Sequence, residues 1–355
     1  MQVRVLNDND RENWDNFVMS QPGSQILQSW EWGTFKARGS WRHFVMAIED
    51  GGQIKGGVSI LSRKLPILGR SIFYAPRGPV IPFSDPKMLD ALIDGICVEA
   101  AKMNAIALKI DPEIDDNNAK VIEMLKAKGF IKKKKQVQPR STYLLDLTRS
   151  LDDILMSFDE KTRYNIRLSE KKKVKVHEDS TENGIDIFYK LYRETCKRDA
   201  FLIHPITYYT RLKKELIDKG MANVFLATLN DLPIAALFAF TFGERVWYMY
   251  GASANSYRNV MPNHAVHWHL IKWAKEKGKK IYDLWGIPVN PKEGHPLFGV
   301  WRFKKGFNGQ LKNWIGVYDL PFDKLSYVLF DKGVEYFQAA RSLLTKGGIS
   351  DSLSE

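Results

Sequence analysis

"FVMAIEDGGQIKGGVSI" (residues 44–60) and "VFLATLNDLPIAALFAF" (residues 224–240) read alike although 180 positions separate them. Each is a strand of apolar and branched residues, a tight turn built on Asp-Gly-Gly or Asn-Asp, and a second strand of small and branched residues, which is the pattern of a β-hairpin. Working outward, a third strand follows in each half, "SIFYAPRGPV" and "RVWYMYGASA", then a loop containing proline and a helix. The first helix is expected from about Pro86 to Met103. The second has Asn263 as its cap, Val266, Leu270, Ile271 and Trp273 at helical spacing, and Lys275, Lys277 and Gly278 at its end. Both halves then resume a strand, "AIALKIDP" and "KIYDLWGIP".

The unit β-β-β-α-β therefore occurs twice. Two copies of this size predict two similar α/β domains rather than a solenoid, which needs three or more short repeats. A chain of 355 residues is long enough for two such cores. The boundary is placed after "YLLDL", giving a first domain over 1–147 and a second over 148–317, with Ser150 capping a new helix. A C-terminal amphipathic helix within 318–355 is expected to pack back on the first domain, and the final "TKGGISDSLSE" to fray.

A net charge of +12 points to polyanionic partners: nucleic acid, nucleotide diphosphates or an anionic membrane surface. Two cysteines, Cys97 and Cys196, without CxxC spacing suggest neither a disulfide framework nor a zinc site, and fit a reducing cytoplasm. "MQVRVLNDNDRENW" lacks the basic and apolar segments of an export signal, and "LPIAALFAFTF" is short of the ~20 residues needed to span a bilayer. Any membrane contact is expected to be peripheral. In "KTRYNIRLSEKKKVKV" (161–176), Arg163 and Arg167 stand one helical turn apart, so two guanidinium forks can grip a diphosphate, while Lys171 to Lys175 extend a diffuse field for tRNA or headgroups. A solvated helix face is the alternative.

The twofold repeat resembles a tandem N-acetyltransferase-like (GNAT) fold. Four segments, "QSWEWGTFK" (28–36), "KTRYNIRLSEKK" (161–172), "YMYGASANSYRNVMPNHAVHWHLIKWAKEKG" (248–278) and "FKKGFNGQ" (303–310), resemble the FemABX family of peptidoglycan-bridge aminoacyltransferases. That resemblance implies transfer of an amino acid from aminoacyl-tRNA to the stem-peptide amine of UDP-MurNAc-pentapeptide or its lipid-linked form, by a monomer needing no cofactor and no metal. An ester donor is already activated, so positioning and charge stabilisation suffice. No linker in 177–223 is long enough for the coiled-coil arm that some members carry.

The same resemblance assigns candidate residues. Lys304, after Phe303, would lie at the tRNA acceptor end and stabilise developing charge, with Lys305 beside it as a second candidate; an exposed basic turn is the alternative. Lys36 would contact the precursor diphosphate, unless it is a surface lysine on a helix with an aromatic core face. Tyr248 and Tyr250 alternate along a strand, so they are expected to share one face, either orienting the precursor or filling the core. Asp111 is a possible base or a turn residue before Pro112. His264 and His267 sit without HExxH or flanking acids, so capping and packing suit them better than a metal. The rival reading is an acetyl-CoA-dependent N-acyltransferase. It needs a glycine-rich turn at a helix N-terminus to hold pyrophosphate, where this chain has "RNVMPN" (258–263).

Overall fold

The computed structural model describes residues 1–65, 69–199 and 201–333. The strands of the first half are β1 (Gln2–Val5), β2 (Arg42–Asp50), β3 (Gln53–Lys64), β4 (Ser71–Ala75), β5 (Ala105–Ile110) and β6 (Ile131–Lys132). Then come β7 (Ser141–Asp146), β8 (Lys175–Glu178), β9 (Ala222–Leu229), β10 (Leu232–Phe242), β11 (Arg245–Ser253), β12 (Ile281–Asp283), β13 (Gln310–Asn313) and β14 (Tyr318–Pro321). Helices α1 (Arg11–Ser20), α2 (Trp30–Ala37), α3 (Pro86–Lys102) and α4 (Ala119–Ala127) belong to the first half. The second holds α5 (Leu151–Ser157), α6 (Glu160–Lys171), α7 (Glu182–Asp199), α8 (Ile206–Leu212), α9 (Pro262–Glu276) and α10 (Phe298–Lys305).

The strands form two seven-stranded mixed sheets of one topology. The first runs β1-β2-β3-β4-β5-β14-β6; the second, read from its far edge, runs β8-β9-β10-β11-β12-β7-β13. Both repeated stretches are antiparallel hairpins, β2 with β3 and β9 with β10. The one parallel pair in each sheet, β4 with β5 and β11 with β12, is bridged by α3 or α9, as a crossover connection requires. Only modest helices fill 177–223, so no long arm is present among the described residues.

The domain boundary differs from the one expected. One compact unit comprises Met1–Gln138 with the described residues from Trp314 to Gly333, and the other comprises Pro139–Asn313. Strand β7, read as the end of the first domain, pairs with β12 and β13 in the second sheet. Strand β14, placed with the terminal helix, pairs with β5 and β6 in the first. Each sheet thus fills its sixth place with a strand from beyond its own repeat. The C-terminal helix begins at residue 324. Its Tyr327 packs with Ile106 and Ala107 of β5 and donates a hydrogen bond to Asp319 at 2.9 Å, which fixes it on the first unit. The remainder of the segment expected to be helical and the expected frayed end lie outside the described residues.

Each unit has its own core. In the first, Val58, Ile60, Phe73 and Leu108 meet Leu89, Leu92 and Ile96 of α3. In the second, Leu237, Val246 and Tyr282 meet Val266, Leu270 and Ile271 of α9.

Candidate functional site

The second unit gathers Lys304, Phe303 and Tyr248 around one buried point. Lys304 lies in the last turn of α10, not in an exposed turn before β13, and only 5% of its surface is accessible. Its Nζ donates to the Gly286 carbonyl at 2.8 Å and lies 3.4 Å from the Trp285 carbonyl. It also stands 5.2 Å from the ring centre of Tyr248, within cation–π range. Burial lowers its pKa to about 7, opposed by the Asp283 carboxylate. Lys305, one residue on, is exposed with its Nζ 4.9 Å from the Trp301 ring centre. Burial separates two lysines that the sequence leaves equivalent.

The carbonyls that hold Lys304 are themselves set by a buried acid. Asp283, at the end of β12, accepts from Arg245 of β11, from the Thr142 hydroxyl of β7 and from the Trp285 amide, the last at 2.7 Å. That last bond turns the chain so that Trp285 adopts φ +57 and its carbonyl, with that of Gly286, comes within reach of the ammonium. Gly286 must lack a side chain, because a Cβ there would meet Pro139 Cγ at 2.5 Å. Arg245, Asp283, Thr142 and Trp285 were not singled out from sequence. The signal available was a charged residue within each of two apolar strands, "RVWYMY" and "IYDLW", which implies a buried pair.

The wall beside Lys304 is aromatic. Phe303 lies edge-on to His264 and His267, both at 5.1 Å between ring centres, and to Phe307 at 5.3 Å. His267 Nδ1 is 2.7 Å from the Tyr282 hydroxyl, and burial followed by the neighbouring Lys304 keeps the imidazole well below its usual pKa. His264 Nε2 lies 3.2 Å from the Asn165 amide; burial and then Lys161 hold its pKa to about 4. Two neutral imidazoles therefore pack on Phe303, and His267 is also a neighbour of the lysine.

Tyr248 and Tyr250 do not share a face. Phe238 pairs with Tyr250 and Ala239 with Tyr248, so Met249 is an extra residue, and a bulge of this kind breaks the two-residue alternation. Tyr248 stays with His267 at 4.4 Å between rings, and burial pushes its pKa up to about 12. Tyr250 turns instead into the aromatic cluster under α7 and α8, its hydroxyl 3.1 Å from that of Tyr208.

Arg163 and Arg167 are on α6 at the expected spacing, but their guanidinium groups are engaged differently. Arg163 Nη1 donates to the Phe158 and Met156 carbonyls, the latter at 3.3 Å, and so covers the C-terminal end of α5, while Arg167 is exposed. Asn263 does not cap α9: the cap position is Met261, at φ +58, and Pro262 occupies the first turn.

The remaining candidates are in the first unit. Lys36 is half-buried in the last turn of α2, its Nζ 6.0 Å from the ring centres of Trp32 and Phe35. Asp111 is buried and accepts from the Tyr74 hydroxyl at 2.8 Å and the Arg77 amide at 2.6 Å. Burial raises its pKa against those contacts and the Arg77 charge. It is neither a turn residue exposed to solvent nor an open base.

Two mixed sheets of one topology, each with a crossover helix, define a tandem GNAT-like architecture. The FemAB family model matches residues 10–231 and 229–332. The chain belongs to the FemAB family. A lipid II:glycine glycyltransferase of Staphylococcus epidermidis is 28% identical, over 90% of this chain and 93% of that protein. Among solved structures, that of FemX superposes with a TM-score of 0.86 at 25% identity, covering 93% of this chain and 99% of that one. A tandem GNAT protein from the clavulanic acid biosynthesis pathway shares the fold at 11% identity, with a TM-score of 0.54 over 90% of this chain and 98% of its own.

Proposed function

We propose that this FemABX-type aminoacyltransferase takes its amino acid from aminoacyl-tRNA and adds it to the stem-peptide amine of a lipid-linked peptidoglycan precursor. The staphylococcal relative is named for glycine transfer to lipid II, which favours the lipid-linked acceptor over UDP-MurNAc-pentapeptide. In this reaction the deprotonated amine attacks the ester carbonyl. A C–N bond forms, the C–O bond to the ribose breaks, the amine gives up a proton and the ribose oxygen gains one. No metal or other cofactor enters that balance.

The observation that carries the reading is the buried Lys304. An ammonium has three N–H donors. The Gly286 and Trp285 carbonyls orient it, and in a water-poor setting a remaining donor is worth far more to a developing oxyanion or leaving ribose oxygen than in bulk water. With its pKa lowered to about 7, Lys304 can also pass a proton to that oxygen. The charge of +12 suits a large polyanionic donor and work at the cytoplasmic membrane face.

The acetyl-CoA reading is weakened by the start of α9. Pro262 supplies no N–H, and Met261 carries a side chain at a left-handed position where a pyrophosphate turn would use glycine. The test incubates the protein with precursor and either labelled acetyl-CoA or charged tRNA, across a salt series. Label is expected in the muropeptide only with charged tRNA, with yield falling steeply as salt rises; acetyl transfer without a tRNA-dependent product would overturn the reading.

A further inference from the structure

"DKLSYVLFDK" (323–332) opens the C-terminal helix of the first unit, and its apolar residues fall on two opposite sides. At ~100° per residue, Tyr327 and Asp331 point one way, and Leu325, Val328, Leu329 and Lys332 the other. The first side is used: Tyr327 is buried against β5, and Asp331 pairs with Lys133 at 2.6 Å. The second side stands in solvent, with Leu325 73%, Val328 46% and Leu329 64% accessible. Three large aliphatic residues left together on one side of a helix have no role in the core. Contiguous apolar surface of this kind marks a docking site.

The charge around it says for what. Beside the helix, to which Lys133 is tied, runs "IKKKK" (131–135), in which Ile131 is 46% accessible and Lys134 and Lys135 are exposed, while Lys132 turns to the other face of the sheet over the Tyr318 ring. The two acids of the helix segment are offset, Asp331 by Lys133 and Asp323 by Arg70 at 3.1 Å. Lys324 and Lys332 add exposed positive charge on the helix itself. An apolar stripe flanked by lysines is complementary to an interface whose headgroups are anionic and whose depth is hydrocarbon.

We infer that the helix beginning at residue 324 and the neighbouring lysines Lys134 and Lys135 form a peripheral membrane-docking face for anionic bilayers, with Leu325, Val328 and Leu329 entering the headgroup layer and Lys134, Lys135, Lys324 and Lys332 meeting lipid phosphates. A lipid-linked acceptor, as read above, gives such a face its use. Docking itself needs no turnover, so the two readings fail separately.

The test sediments the full chain with phosphatidylglycerol vesicles and with phosphatidylcholine vesicles at physiological salt. Binding is expected to the anionic vesicles and to be at least ~10-fold weaker for the neutral ones. The L325Q/L329Q double variant should lose ~10-fold or more of its partition. K134Q/K135Q should lose about fivefold per lysine at low salt. In a Leu325→Trp variant, the emission of the introduced indole should shift to the blue with anionic vesicles, which reports insertion directly. Transfer to the lipid-linked precursor dispersed in detergent, where no bilayer is present, should be unchanged in every one of these variants. Equal binding of wild type and L325Q/L329Q, or no blue shift in the Leu325→Trp variant, would overturn the inference. So would a dimer in solution that L325Q/L329Q dissolves, because the face would then be a contact between copies of the chain.

Discussion

The two units carry the same sheet and crossover, yet treat a buried charged residue at the end of the crossover strand differently. In the first, Asp111 follows β5 and is closed in by the Tyr74 hydroxyl and the Arg77 amide. In the second, Asp283 ends β12 and is closed in by Arg245, Thr142 and Trp285, but it also shapes the loop whose carbonyls hold a lysine. The first network runs on from Tyr74 to the Gln138 amide and from Arg77 to the Glu113 carboxylate. The other ends in an ammonium whose pKa is near neutrality. Repetition of a fold supplies the frame, and the chemistry follows from what the last link of each polar network is.

Three substitutions bear on this contrast. Asp283→Ala should have the largest effect, because Arg245 would lose the carboxylate that balances its charge inside the second unit: about 3–5 kcal/mol of stability, read by denaturant unfolding. A loss below about 1 kcal/mol would mean that the pair is not the support of the loop. Lys304→Met should leave precursor binding nearly intact and lower turnover ~10²-fold or more. Unchanged turnover would remove Lys304 from the reaction and make the two units chemically alike.

The same variant has a pH signature. Lys304 has a folded-state pKa of about 7 against about 10.4 in the unfolded chain, so between those values the unfolded state binds more protons. The wild type should therefore gain stability relative to Lys304→Met as pH rises from about 7 to about 10. A difference that stays flat across that window would contradict the buried placement. The smallest effect is expected at Lys305, where the exposed side chain makes Lys305→Ala worth no more than about 0.5 kcal/mol in stability and about twofold in turnover.

The hairpins, the crossover helices and the twofold repeat were legible because each is written locally, in alternation, in turn residues and in helical spacing. What sequence could not supply was partnership at long range. "STYLLD" reads as the end of a strand, but nothing in it says that it joins the later sheet, and nothing in "YDLP", placed with the terminal helix, says that it is a strand of the earlier one. Lys304 and Lys305 are adjacent and identical in type, and only the packing of α10 decides which is buried. The bulge at Met249, which sends Tyr250 to the other face, carries no glycine to announce it. Arg163 and Arg167 have the spacing of a paired grip, yet the carbonyls ending α5 take Arg163 first.

The crossed placement of β7 and β14 has a consequence for how the chain is made. Every strand of the second sheet lies within Pro139–Asn313, so that unit is complete as soon as residue 313 has left the ribosome. The first sheet is made earlier but closes later. Until Tyr318–Pro321 emerges, β5 keeps an open hydrogen-bonding edge and β6 has no neighbour. The first unit thus waits through the synthesis of all of the second, and the unit synthesised second is the first that can close.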